Sequence, residues 1–209
     1  MKFKMNEYQR EQAETLSLIR KHLLALDRKQ TGQLLDISSK YLAFRDHVNN
    51  FHNRYFNCTC NQKCYSSRLS ACCSKDGIIT FFADILLNAL VSSQTDLDEL
   101  AFAIERPLNT FKCIYLGRNG CLWRLKPIVC EMFLCDPAKK EVFGRYPAAA
   151  SEWKKLEEQK MRFTWPDRPV LFDLLEQKFI DAGYFSPLMY INYSPGLCRV
   201  KQKAGLSRP

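Results

Sequence analysis

Apolar residues recur at intervals of three and four along the first quarter of the chain, and they predict a helical hairpin. A first stripe predicts a helix over about residues 6–27; it consists of Leu16, Ile19, Leu23 and Leu26. A second, heptad-like stripe predicts a longer helix; it consists of Leu34, Ile37, Tyr41, Phe44, Val48, Phe51 and Tyr55. We expect the polar stretch RKQTG to break the chain between the two helices. We also expect the longer helix to pack inside the protein rather than against a second copy.

Further helices are predicted in the middle of the chain and near its C-terminus. The run GIITFFADILLNAL predicts a buried helix from about Thr80, and TDLDELAFAIERP predicts another with Thr95 as its N-cap. Residues 153–162 and 170–185 predict two later helices, and residues 199–209 predict a solvated tail. The longest apolar run, residues 78–91, is too short to span a bilayer, so no membrane partner is expected.

Cysteine is the most informative residue type in the chain. Ten cysteines are present, and nine of them fall between residues 58 and 135. The N-terminus lacks the apolar segment and cleavage site of a signal peptide, so we expect a cytoplasmic protein. The cytosol keeps ordinary thiols reduced, so the clustering indicates metal binding or redox chemistry rather than disulfides.

The first cysteine cluster is CTCNQKCYSSRLSACC. Cys60 and Cys64 form a CxxxC pair, but Ser67 occupies the third position of the CxxxCxxC triplet that radical S-adenosylmethionine enzymes require. Adjacent side chains point in different directions, so Cys72 and Cys73 would serve two metals, or one metal and the core.

The three histidines all lie on the predicted helical hairpin. His47 and His52 are five residues apart, whereas residues three or four apart share a helical face. We therefore expect His22, His47 and His52 to face solvent or cap helices. Sulfur rather than nitrogen would then bind any metal.

The second cluster, FKCIYLGRNGCLWRLKPIVCEMFLC, contains a predicted β-hairpin. Asn119-Gly120 is a turn signal between short strands predicted at residues 112–116 and 121–125. In a regular hairpin Cys113 and Cys121 lie on opposite faces or, with a three-residue loop, about 13 Å apart. Either the hairpin is irregular or the two thiols belong to different metal sites.

The Lys126-Pro127 step predicts a short helix that stops before Pro137, because the residue before a proline avoids helical dihedrals. Cys130 would lie near the positive end of this helix, where a thiol ionises more readily. The ionised thiol is the form that binds metals.

The cysteine pattern resembles that of the YkgJ-like cysteine-cluster proteins, which are described as zinc- or iron-chelating domains and in part as Fe-S oxidoreductases. Their pattern is an N-terminal group ending in Cys-Cys, a cysteine before a short glycine-containing turn, and C-x8-C-x4-C with Arg-Pro inside. The resemblance covers about residues 58–135. It implies a metal-ligand set of Cys60, Cys64, Cys72, Cys73, Cys113, Cys121, Cys130 and Cys135.

The chain departs from this pattern in several places. Lys126 replaces the usual arginine, Glu131 replaces an arginine that often follows the cysteine, and the spacer before the Cys-Cys pair is longer. The ligand set stays intact, but arginines that would recognise an anionic partner are lost. Cys58 competes with Cys60 for the first ligand position, and we expect Cys198 to be a free thiol.

The net charge of +9 lies mostly outside the cysteine region. Residues 57–135 carry eight basic and seven acidic side chains, so the cysteines lie in a nearly neutral segment. A zinc module that binds nucleic acid gathers basic residues around its metal, because phosphate neutralisation supplies much of the affinity. We therefore expect no nucleic-acid partner.

An all-thiolate ligand set suits an iron-sulfur cluster or zinc, and ligand type alone does not separate them. The resemblance favours an iron-sulfur cluster in electron transfer or an oxidoreductase step, with an unknown protein or redox partner. The alternative is structural zinc in an interaction module. One relative is a flagellin lysine N-methylase, so a protein-lysine-modifying enzyme stays open, and no catalytic residue is assigned.

The predicted fold class is mainly α, a helical protein with a small irregular cysteine-rich region of β-hairpin and loops that binds the metal. We divide the chain into a helical hairpin (1–56), a cysteine-cluster core (57–145), and C-terminal helices with a basic tail (146–209). We expect the three to form one compact unit. The second helix of the hairpin leads directly into the first cluster, so it should brace the cysteine loop.

Overall fold

The computed structural model describes residues 5–66, 79–107 and 112–206, and the protein is mainly helical, as predicted. In these ranges the helices are α1 (Glu7–Ala25), α2 (Arg28–Tyr55), α3 (Phe82–Val91), α4 (Gln94–Ile104), α5 (Ile128–Glu131), α6 (Asp136–Arg145), α7 (Pro147–Thr164), α8 (Leu171–Asp181), α9 (Tyr190–Tyr193) and α10 (Pro195–Lys203). A π-helix spans Asn57–Tyr65. A small antiparallel sheet pairs β1 (Leu116–Gly117) with β2 (Gly120–Cys121).

One buried cluster of apolar side chains joins the three predicted segments. Phe51 of α2, Leu86 of α3 and Phe172 of α8 all belong to it and are at most 1% exposed. α1 packs against α3 and α4, while α2 packs against α7 and α8. The segments therefore share a core. In the part of the chain that the structure describes, no helix has the length and apolarity that crossing a membrane requires.

The turn between α1 and α2 is shorter than predicted. The Gln30 amide donates a hydrogen bond to the Asp27 carboxylate at 2.7 Å, and the Asp27 amide donates to the Gln30 side chain at 3.0 Å. This capping box starts α2 at Arg28, so the predicted break at RKQTG is wrong. Most of the apolar stripe of α2 is buried, and that packing outweighs the helix-weakening effect of Gly32.

α3 and α4 also begin at different residues from those predicted. α3 begins at Phe82, and α4 is capped by Ser93 rather than Thr95. The Asp96 amide donates to the Ser93 hydroxyl at 3.2 Å, and the Ser93 amide donates to the Asp96 carboxylate at 2.9 Å. The sequence contains two overlapping capping boxes in SQTDLD, and the first of them is used.

The β-hairpin is smaller than predicted. Residues 116–117 pair with residues 120–121, which leaves a two-residue loop between them. Gly120 has a φ of +118°, a backbone conformation that residues with a side chain rarely adopt. Glycine at this position therefore allows β2 to begin directly after the two-residue loop. The predicted strands are therefore too long.

The short helix predicted after Pro127 is α5, but the sequence patterns did not predict α6. It begins at Asp136, directly before Pro137, and Cys135 adopts an extended conformation as its N-cap. The expectation that Asp136 leaves helical geometry is wrong. Pro137 lies in the first turn of α6, where its missing amide hydrogen costs no hydrogen bond.

The C-terminal helices extend further than predicted, because part of the expected solvated tail belongs to α10. The Lys201 ammonium lies 2.6 Å from the Asp173 carboxylate and 2.7 Å from the Asn192 side-chain oxygen, which ties α10 to α8 and α9. The Cys198 thiol donates a hydrogen bond to the Asn192 carbonyl at 3.0 Å. The predicted free thiol thus packs among C-terminal helices.

Glu176 of α8 carries a fully buried carboxyl group. The Asn192 amide and side chain donate to it at 3.1 and 2.8 Å, and the Ile191 amide donates at 3.4 Å. Burial raises the pKa of Glu176 to about 7, and these hydrogen bonds only partly oppose that effect. The carboxyl group anchors α9 but prefers to be protonated.

We predict that Glu176 makes the protein more stable in acid than at neutral pH. Its folded-state pKa of about 7 exceeds the ordinary 4.5, so its stabilising contribution is complete below pH 4.5 and is lost as the pH rises to about 7. Across that window the wild type should lose up to about 3 kcal/mol of unfolding free energy relative to Glu176→Gln, which keeps an acceptor but cannot ionise. Urea unfolding at a series of pH values measures the difference, and a constant difference would contradict the prediction.

Candidate metal centre

The π-helix carries the first three cysteines. It continues directly from α2, because the Cys60 amide donates to the Phe56 carbonyl at 2.7 Å and the Phe56 amide donates to the His52 carbonyl at 2.8 Å. Cys58 is exposed, whereas Cys60 is half-buried and packs against the core. Of the two competitors for the first ligand position, Cys60 therefore faces inward.

Side chains of the π-helix join it to two other cysteine-bearing segments. The Tyr65 hydroxyl contacts the Gly117 and Arg118 carbonyls of the hairpin loop at 3.1 and 2.6 Å. Lys63 and Thr59 both donate to the Glu141 carboxylate of α6, the helix that follows Cys135. The π-helix, which carries Cys58, Cys60 and Cys64, thus contacts both the hairpin and α6.

The segment before β1 is irregular. A turn precedes β1, in which the Leu116 amide donates to the Cys113 carbonyl at 3.1 Å, but no group of three metal-binding side chains in the described residues joins Cys113 with Cys121. The charge of an ionised Cys121 raises the pKa of Cys113. Burial is the larger cause, and together they raise the pKa of Cys113 to about 11.

Backbone amides favour the ionised form of both of these thiols. The Tyr115 and Leu116 amides lower the pKa of Cys113 against the larger effect of burial. The Trp123 amide likewise lowers the pKa of Cys121 against burial. Donors of this kind stabilise a thiolate, which is the form that ligates a metal.

Cys130 and Cys135 lie in the segment that follows the hairpin. Cys130 is on α5, and its charge acts on the phenol of Tyr8, which the charge of Cys113 also reaches. Cys135 is half-buried against the core. The charges of Cys113 and Cys130 raise the pKa of Tyr8, and those of Cys113 and Cys121 raise the pKa of Tyr115, in each case after the larger effect of burial.

Buried polar side chains hold the backbone between Cys121 and Cys130. The Leu125 amide donates to the Asn88 side chain at 2.9 Å, and the Ile128 amide donates to the Asp84 carboxylate at 2.9 Å. Arg45 donates to the Lys126 carbonyl at 2.7 Å. We call Arg45, Asp84 and Asn88 the loop clamp. The sequence offered a signal for it, because Asp84 and Asn88 interrupt an apolar run at helical spacing.

Glu131, the last residue of α5, carries a buried carboxylate that pairs with two cations. Its carboxylate lies 3.3 Å from Lys126 and 3.9 Å from Arg45. Burial alone would raise the pKa of Glu131, but these two cations outweigh burial and leave the pKa below its ordinary value. Lys126 and Glu131, which stand where the YkgJ-like pattern has arginines, thus form an ion pair with each other.

The histidines are less exposed than predicted. The His52 Nε2 atom lies 2.8 Å from the Glu131 carbonyl, and burial lowers the pKa of His52. The His22 ring packs against Phe179 and Tyr184. Of the three, only His47 is exposed. The expectation that all three face solvent or cap helices is therefore wrong, because His22 and His52 pack between helices.

A complete metal-binding group is not present among the residues that the structure describes. In residues 5–66, 79–107 and 112–206, no three His, Cys, Asp or Glu side chains are arranged to hold one metal ion. Cys72 and Cys73 lie outside the described residues. The full set of eight ligands therefore stays a prediction.

A surface groove opens beside Cys121. It has a volume of about 360 Å³ and lies between the hairpin and α4. Arg118 and Arg124 line it together with Asp96 and Glu99. One predicted ligand is thus accessible from a polar, concave surface.

Comparison of the chain with protein-family models, curated proteins and solved structures found no match. The resemblance to the YkgJ-like proteins therefore depends on the cysteine spacing alone.

We predict that Arg45→Met lowers the free energy of unfolding by about 3–5 kcal/mol, because it removes the buried cation near Asp84 and one of the two cations beside Glu131, and it takes the donor away from the Tyr41 hydroxyl and the Lys126 carbonyl. Arg54→Met is the matched control. Arg54 is 60% exposed and pairs with Glu152 on the surface, so its loss should cost at most about 1 kcal/mol. Urea denaturation of the two variants measures the difference. Equal losses would show that the loop clamp contributes no more than a surface pair.

Proposed function

We propose that this protein binds a metal centre through cysteine thiolates, and that the centre is an iron-sulfur cluster serving electron transfer or an oxidoreductase step. The observation that supports this most strongly is the convergence of the cysteine-bearing segments. The π-helix contacts the hairpin through Tyr65 and contacts α6 through Lys63. Segments that are 50 or more residues apart in sequence are thereby brought together.

The chemistry of the donor groups fits a thiolate-bound metal. Cys113 and Cys121 are half-buried, their charges interact, and backbone amides favour the ionised form of both thiols. Two neighbouring thiolates repel each other, and a bound cation removes that repulsion. A cluster would supply one-electron transfer, while this chain would supply the sulfur ligands and the amide donors around them.

The groove beside Cys121 favours a metal centre that exchanges electrons with another molecule rather than a purely structural metal. A cluster that exchanges electrons with another molecule must lie near the surface, whereas a structural zinc ion has no such requirement. Cys121 lines an open groove with charged walls. Structural zinc in an interaction module remains the alternative, and metal analysis separates the two.

We predict that protein purified without oxygen is brown and contains iron and acid-labile sulfide, with charge-transfer absorption near ~400 nm. Iron and sulfide assays on the full chain, together with its absorption spectrum, measure this. Colourless protein with stoichiometric zinc would replace the iron-sulfur proposal with the zinc alternative. Absence of both metals would remove the metal proposal altogether.

We predict that Cys130→Ser loses the metal and that Cys198→Ser keeps it. Cys130 belongs to the ligand set that the cysteine pattern implies, whereas the Cys198 thiol bonds to the Asn192 carbonyl among the C-terminal helices. Metal-to-protein ratios measured by elemental analysis test the pair, and the unfolding midpoint shows whether each variant is folded. Full metal content in a folded Cys130→Ser protein would refute the ligand assignment.

A further inference from the structure

The surface groove beside Cys121 has walls of opposite charge. Arg118 belongs to the hairpin loop, and Arg124 follows β2. Asp96 and Glu99 line the other wall, which is formed by α4. The volume of about 360 Å³ falls at the lower end of the range for sites that bind small molecules. The groove therefore offers a cationic wall and an anionic wall to the same ligand.

Most of these charges have no partner within the described part of the chain. Arg118, Arg124 and Glu99 form no ion pair and no side-chain hydrogen bond with another described residue. Hydrogen bonds from Ser93 lower the pKa of Asp96, and the charge of Arg124 adds a smaller effect in the same direction. Asp96 is thus occupied by its capping role, while two cations and one carboxylate are open to a ligand.

The backbone that carries the two arginines is held in place by packing and hydrogen bonds. The Tyr65 hydroxyl donates to the Arg118 carbonyl at 2.6 Å. Trp123, which precedes Arg124, is 4% exposed and packs edge-on against Tyr115 with 5.4 Å between the ring centroids. The positions from which the two guanidinium groups project are therefore fixed before a ligand arrives, which lowers the ordering cost of binding.

We propose that this groove binds a small zwitterion, namely an amino acid or a short peptide with a free carboxylate and a free ammonium group. The carboxylate lies against Arg118 and Arg124, because a guanidinium group forms paired hydrogen bonds with a carboxylate. The ammonium group lies against Glu99. Gly120 also lines the groove and leaves room for the ligand, since a β-carbon added there would meet no atom within 4 Å. The inference does not depend on the proposed metal centre.

The two walls together select against ligands that carry a single charge. A simple anion is attracted by Arg118 and Arg124 but repelled by Asp96 and Glu99, and a simple cation meets the reverse. A ligand with both charges is attracted by both walls. The charged groups are exposed to solvent, so binding should weaken as the ionic strength rises.

NMR titration of the isotope-labelled, reduced full chain with glycylglycine tests the proposal. The backbone amide signals of the groove residues should shift in a saturable way. N-acetylglycylglycine lacks the ammonium group and glycylglycinamide lacks the carboxylate, so each should bind at least about tenfold more weakly. Free glycine carries both charges at a shorter separation, and its dissociation constant relative to that of glycylglycine shows whether an amino acid or a peptide fits better.

Matched variants assign the binding to the groove. Arg118→Gln and Arg124→Gln should each weaken the binding of glycylglycine by about tenfold or more, and Glu99→Gln should do the same through the ammonium group. Arg199→Gln is the control, because it removes the same charge from an exposed position on α10, outside the groove. All four changes affect exposed side chains, so the amide spectra should keep the wild-type pattern elsewhere in the chain.

Two outcomes would overturn the inference. Equally strong binding of N-acetylglycylglycine would remove the zwitterion as the ligand class. The absence of saturable shifts in the groove, or shifts that the two arginine substitutions leave unchanged, would remove the site. Neither outcome would affect the metal proposal, which depends on metal analysis instead.

Discussion

The loop clamp is the interaction on which the cysteine region depends. The backbone from Cys121 to Cys130 has little regular secondary structure, so its amides and carbonyls need partners from elsewhere. Arg45, Asp84 and Asn88 supply them from inside two helices of the core. An irregular loop held in this way is fixed by the packing of α2 and α3. The loop that joins Cys121 to Cys130 is therefore positioned by the hydrophobic core.

The clamp comes at an electrostatic cost. Asp84 is fully buried, and burial raises its pKa to about 6 despite two amide donors and the nearby charge of Arg45. Arg45 is itself only 4% exposed and lies between carboxyl groups of α3 and α5. Buried charges of this kind add little net stability compared with apolar packing, but they tolerate few alternative arrangements. The loop clamp therefore selects one geometry of the loop, and it adds less to the free energy of unfolding than apolar packing at the same place would add.

Apolar periodicity predicted most of the helices well, but it failed at the helix starts, which polar capping side chains determine. The long stripe of α2 fixed its C-terminal end, but the Asp27–Gln30 capping box set its start. The choice between two capping boxes before α4 depends on packing that no local pattern contains. The same holds for the hairpin, because the turn before β1 and the two-residue loop make the strands shorter than the local pattern predicted. Local rules assume regular geometry, and the candidate site departs from it.

The π-helix has a mechanical consequence for the region as a whole. Its hydrogen bonds span five residues, as from the Ser66 amide to the Asn61 carbonyl, so its turns are wider and less stable than those of the α-helix before it. One end continues a rod of 28 residues embedded in the core, and the other is pinned to the hairpin by Tyr65. Between two fixed ends, this short stretch is the compliant element. It can widen or tighten while the rod and the hairpin keep their places.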